Sequence, residues 1–177
     1  LLAVPSSPSQ YLNTVGPKTR NMISKARRRC YYHAPFVWNE KLADINGINT
    51  SKPVRQGKPM SRAYQEFPKH SAEAAYVART GVFLGDTLVA YANCVRLHQL
   101  RVVNTIIGHS AHLTHGVMNL LLFGIVEQSI GTDTTHINYL TLPPNSSLSS
   151  FKRRVGFRPY TCFVKKNGYC TNIKGGA

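Results

Sequence analysis

The sequence predicts one mixed α/β domain, and three observations carry that reading. A chain of 177 residues suits a single domain. Apolar residues make up 42% of it, enough for a real core and too many for wholesale disorder. The order of apolar periods then sets the class: two helices, antiparallel strands, a strand–helix–strand unit, and a helix with two closing strands.

Residues 1–16 are rich in Pro and Ser and are expected to form a flexible tail, which leaves 17–174 as the domain. Pro17 suits the first position of a helix over 17–31, with Met22, Ile23, Ala26 and Cys30 as a narrow apolar stripe. A second helix is expected from Asn39, turning Leu42, Ile45 and Ile48 inward. NTSKPVRQGKPMSRAYQEFPKH (49–70) holds three prolines and no clear period, a long loop of the functional or mobile kind. TGVFLGDTLVAYANCVRL (80–97) reads as a hairpin turning at Gly85-Asp86, and QLRVVNTIIGH (99–109) as a further strand. VMNLLLFGIVEQSI (117–130) is apolar nearly all round, so this helix should pack on a sheet with little of it exposed.

INYLTL (137–142) has the continuous apolar character of a strand buried in a parallel pair. In NSSLSSFKRRVGF (145–157), Asn145, Ser146 or Ser147 can cap a helix whose Leu148, Phe151 and Val155 share one face. Lys152, Arg153 and Arg154 lie in its last turns, where the helix dipole favours cations; Gly156 suits a left-handed end and Phe157 the apolar contact beyond it. FRPYTCFV (157–164) and GYCTNI (168–173) close the chain as strands.

Charge narrows the partners. Lys and Arg number 22 against 7 acidic residues, a net charge of +15. One cluster comprises Lys18, Arg20, Lys25, Arg27, Arg28 and Arg29; a second Lys52, Arg55, Lys58 and Arg62; a third begins at Lys152, Arg153 and Arg154. A polyanion is the expected partner: RNA, a phosphate-bearing cofactor, or both. No apolar run reaches the length of a membrane span, and LLAVPSSPS lacks the basic flank and length of a secretory signal. The four cysteines form no C-x-x-C pair, so free thiols and a cytoplasmic location are expected, with a Cys162–Cys170 bridge left open.

The element order and three local patterns resemble the GNAT acyltransferase fold. The family's Asn-x-x-Ala-x-x-Phe-Tyr…Gly-Phe pattern is similar to Asn145, Phe151, Gly156 and Phe157, with Leu148 at the Ala place. LGDTLVAYA resembles its second and third strands, and HLTHGVMNLLL its pyrophosphate-binding loop and following helix. The resemblance implies a mixed sheet with two splayed parallel strands and helices on both faces. It also implies that backbone N–H groups of Leu113, Thr114, His115, Gly116, Val117 and Met118, with Asn145, hold the donor, the start of a helix being a natural anion cradle. The loop departs from the family's Gln/Arg-x-x-Gly-x-Gly/Ala, and Lys152 stands where a proton-donating Tyr is usual. These features, with TRNMISKARRR, resemble the Fem-type branch that uses aminoacyl-tRNA. Acyl-CoA or aminoacyl-tRNA is therefore the implied donor, and an amine the acceptor.

Residue chemistry fills in roles. Lys152 can stabilise developing negative charge or a donor phosphate, set against the plain reading of a solvated lysine at a helix end. His109, at a strand end, can serve as general base. His109, His112 and His115 have a spacing of three that would need a helix to bind metal; a loop with Gly116 is expected, so no metal is. Arg55, Arg62 and Tyr64 can line an acceptor site, and Lys25, Arg27, Arg28, Arg29, Arg153 and Arg154 a nucleic-acid surface. GHSAH lacks the second Gly of a nucleophile elbow, which excludes a serine hydrolase. The competing reading is a catalytically silent binding module of the same fold, anchored on RNA or in a large assembly.

Overall fold

The computed structural model describes residues 1–55, 57–141 and 146–160, together with the backbone of strands at 162–166 and 169–173. Residues 1–16 are no flexible tail. Strand β1 (Leu2–Ala3) pairs antiparallel with residues 136–137, and helix α1 (Pro8–Thr14) follows. Ser7 Oγ accepts the Gln10 N–H and Pro8 fills the first helical position, so the Pro and Ser that suggested a tail build a helix start. Leu2, Tyr11 and Val15 are buried, and the Tyr11 hydroxyl donates to the Val155 carbonyl at 3.0 Å.

Helix α2 (Pro17–Arg28) stops short of residue 31 because Cys30 takes φ 63° and turns the chain into β2 (Tyr31–Pro35), a strand the sequence reading lacked. Helix α3 (Leu42–Thr50) buries Ile45 and Ile48 as expected. The long loop carries short pieces of structure, β3 (Val54–Arg55), β4 (Lys58–Pro59) and α4 (Arg62–Gln65). Strands β5 (Val77–Leu84) and β6 (Thr87–Leu97) join through the expected turn, with Gly85 at φ 55°. After β7 (Leu100–Gly108), residues Ser110–His115 form a 3-10 turn leading into α5 (Val117–Glu127), whose side chains from Leu120 to Val126 are buried. Strand β8 (His136–Asn138) and helix α6 (Ser147–Arg154) follow, then the hairpin β9 (Cys162–Lys166) and β10 (Tyr169–Ile173). In that hairpin Cys162 faces Ile173 and Cys170 faces Lys165, so the two cysteines are not cross-strand partners.

The main sheet is mixed, in the order β1-β8-β7-β6-β5-β2. Only its β7–β8 ladder is parallel; the others run antiparallel. Strand alternation divides the core between two faces. Val82, Val103 and Ile106 face the layer of α2 and α5, while Phe83 and Ile107 face Ile45 and Ile48 of α3. Buried Arg101 on β7 donates to the carbonyls of Ile125 and Gln128 at 3.3 and 3.4 Å, fastening the end of α5 where its dipole favours a cation. Among the described residues no helix is long and apolar enough to cross a membrane.

Candidate functional site

Strands β7 and β8 pair only from Leu100 to Val102, opposite His136 to Asn138. Beyond that point β7 runs on to Gly108, while the chain after Asn138 turns away with Leu140 at φ 49°. Backbone carbonyls that leave a sheet ladder need another donor, and here a side chain supplies it. Lys152 of α6, only 3% exposed, donates its ammonium protons to the carbonyls of Tyr139 at 2.6 Å and Thr141 at 2.7 Å. Its Nζ also sits 4.1 Å from the centre of the Tyr139 ring. Burial lowers its pKa from the ordinary lysine value. Lys152 is therefore not a solvated helix-end lysine: it takes the place of the missing sheet ladder and holds the parted strand on α6.

The parting leaves a cavity of about 290 Å³, near the lower end of the ligand-pocket range. Its walls are Ile106, Ile107 and Gly108 of β7, Leu113 of the 3-10 turn, Met118 of α5, Tyr139, and Ser147, Leu148 and Phe151 of α6. Lys52 and Arg55 complete the lining. The Arg55 guanidinium is pinned by the carbonyls of Gly108 at 3.0 Å and Ile48 at 2.9 Å and by Ser51 Oγ at 3.0 Å; its Nε is buried without a partner. Burial lowers its pKa from the usual guanidinium value. Ser51 also bonds Ser110 through both backbone and hydroxyl, tying the end of α3 to the start of the 3-10 turn.

The six residues expected to cradle a donor divide. Leu113 and Met118 line the cavity, whereas Val117 is fully buried in the core. Lys25 of α2 donates to the Thr114 carbonyl at 2.9 Å. Gly116, at φ 88°, lies so close to the Met22 carbonyl that a β-carbon would overlap it. The close approach assigned to Gly116 thus serves the crossing of α2, and of the first turn of α5 it is Met118 that borders the cavity. Asn145 lies outside the described residues.

A 3-10 helix has three residues per turn, so the spacing of three that a loop would scatter stacks His109, His112 and His115 along one side. Their rings follow at 5.3 and 6.1 Å. The Tyr31 hydroxyl lies 2.7 Å from His112 Nδ1 and 2.8 Å from His115 Nδ1. A phenol has one proton, so it donates to one imidazole and accepts from the other. Burial lowers the pKa of both histidines, helped by the neighbouring imidazoles at His112 and by Arg29 and Lys25 at His115. No group of three or more potential metal ligands converges among the described residues. His109 Nδ1 accepts the Ala111 N–H at 3.3 Å, which places the proton of a neutral ring on Nε2. His109 is not among the residues that line the cavity, so the general-base role expected of it stays an expectation.

The remaining candidates scatter. Arg62 is highly exposed and pairs with Glu66, and Tyr64 packs on the α3-side core. Arg27 stacks over Phe123 at 4.7 Å, while Arg28 and Arg29 are exposed. Arg153 and Arg154 are exposed at the end of α6, and Thr19 of α2 donates to the Arg154 carbonyl at 3.0 Å, so the first and third basic clusters become neighbours. Lys52, Tyr139 and Tyr31 were not singled out as site residues; their roles depend on the strand parting and on β2, which no local pattern announces. Compared with known proteins, the chain matches no family model and no curated protein.

Proposed function

We propose that the chain is a GNAT-like acyltransferase that moves an acyl or aminoacyl group from acyl-CoA or aminoacyl-tRNA to an amine. The observation that carries this reading is the parallel pair β7 and β8, joined through α5, which separates after three residue pairs around a mostly apolar cavity. Such a slot suits the extended arm or terminal ester of a large anionic donor, with the positive ends of α5 and the basic α2 nearby. The amine nitrogen attacks the carbonyl carbon, the C–S or C–O bond breaks, and the thiol or ribose hydroxyl leaves with a proton given up by the amine. Among the described residues no carboxylate lines the cavity, so the amine is taken to arrive neutral or to lose its proton to solvent. Lys152, engaged by two carbonyls, supports this reading first as a positioning residue, and the third proton of its ammonium is left for developing charge.

The test is transfer of a radiolabelled acetyl group from acetyl-CoA, or of a labelled amino acid from aminoacyl-tRNA, to a pool of amines. Label appearing in an amide supports the reading. The silent binding module draws on one observation, the joined basic surface of α2 and α6. RNA binding without any transfer would favour it.

A further inference from the structure

The cavity joins the two faces of the sheet: Ile106 belongs to the α2–α5 side and Ile107 to the α3 side, and both line it. Its α3-side lip carries Lys52 and Arg55. The partners that fix Arg55 are neutral, two carbonyls and a hydroxyl. No carboxylate lies within ion-pair distance of Lys52 or Arg55 among the described residues. The chain's acids stand elsewhere: Asp44 beside Lys41, Glu66 on Arg62, Glu73 on Arg79, Glu127 on His33 and Asp133 on Arg96. Glu40 lies in the short turn before α3 and Asp86 in the β5–β6 turn, and neither borders the cavity. A half-buried guanidinium held in fixed geometry, with a second cation at the same lip and no counter-ion, is complementary to an anion.

Resting on the acyl-transfer reading, we infer that the α3-side lip receives the acceptor, and that this acceptor is an amine bearing a carboxylate or phosphate group held by Lys52 and Arg55. The donor then enters from the α5 side, past Leu113 and Met118. Two charged substrates meeting in one slot are kept apart by the end of β7, and the acceptor's anion fixes its nitrogen toward the opening between β7 and β8.

Matched probes test this on the full chain by amide NMR titration: β-alanine against β-alaninamide, and phosphoethanolamine against ethanolamine. The anionic member of at least one pair should bind about tenfold tighter, the worth of one charge-assisted contact, and shift the amides of Ser51, Arg55 and Gly108. Which pair responds tells carboxylate from phosphate. Lys52→Met, an exposed site whose replacement leaves the fold intact, should remove most of that preference; Arg55→Lys should weaken it while keeping the charge. Equal binding within both pairs, no binding by any probe, or a preference untouched by Lys52→Met overturns the inference. A parallel titration with acetyl-CoA and aminoacyl-tRNA separates the two levels. Donor binding without anion preference sinks this inference alone, whereas anion preference without donor binding keeps the anion site and sinks the acyl-transfer reading together with the acceptor role.

Discussion

Two residues do something other than their sequence context implied, and each yields a prediction. Gly116 looks like a loop glycine, yet its positive φ and its contact with Met22 make it a packing position between α2 and α5. Gly116→Ala should cost at least about 2 kcal/mol, from left-handed backbone strain plus overlap with a carbonyl, read as a lowered urea midpoint with unchanged slope. Gly57→Ala, also at positive φ but with open space around it, should cost about 1 kcal/mol by strain alone. Lys152 looked like one cation among three, but it is buried against two carbonyls. Lys152→Met leaves those carbonyls without this donor, a loss of roughly 1–3 kcal/mol, because Thr141 is exposed and water can take up part of the lost bonding. Arginine cannot restore the arrangement, because its planar fork does not fit a site built around one ammonium. Equal stability of wild type and Lys152→Met in chemical denaturation would show that the lysine does not hold the parted strand.

Among the elements, the 3-10 turn Ser110–His115 is a support of the cavity that depends on ionisable groups, since Tyr31 holds it through two imidazoles. His33, packed against Phe123, also has its pKa lowered, chiefly by burial, with Glu127 opposing and Arg27 reinforcing. For His33, His112 and His115 the folded state favours the neutral ring. The unfolded chain therefore binds more protons, and stability present above the ordinary imidazole value of about 6.5 is lost as pH falls below it toward the folded values. The melting temperature should drop between pH 7.5 and 5, and Tyr31→Phe should lower it at pH 7.5 while flattening the acid limb. A melting temperature constant across that range would contradict this account of the turn.

For the whole molecule, much of the fold was readable and much of the site was not. The all-round apolar stretch 117–130, the Gly85-Asp86 turn and the inward Ile45 and Ile48 follow from period and turn chemistry, which are local. Strand β2 was hidden because Tyr31–Pro35 follows a helix through a non-glycine residue at positive φ. Strand β1 was hidden in composition that also suits a tail, since two residues of edge strand have no period to show. The cavity was inferred only through the resemblance; its cause, a buried lysine replacing a sheet ladder, depends on contacts across 13 and 11 residues. The histidine stack was misread because a spacing of three matches a 3-10 turn as well as an α-helix.

The net charge of +15 also acts through α2, whose start adjoins the end of α6 and whose far end carries exposed Arg28 and Arg29. Changing Arg28 and Arg29 to Ala together should reduce the salt slope of RNA binding by roughly 1 to 2, since each neutralised phosphate contributes just under one. An unaltered slope would remove α2 from the nucleic-acid surface.

If the opening between β7 and β8 holds the donor, filling it should expel the donor. Leu148 lines the cavity from a half-exposed position on α6, so Leu148→Trp can occupy the space without entering the core. Isothermal titration of wild type and Leu148→Trp with acetyl-CoA and with aminoacyl-tRNA should show one donor binding the wild type. The same donor should bind the variant at least about tenfold more weakly, at an unchanged melting temperature. Equal affinity in both proteins, or no binding of either donor to the wild type, would contradict it.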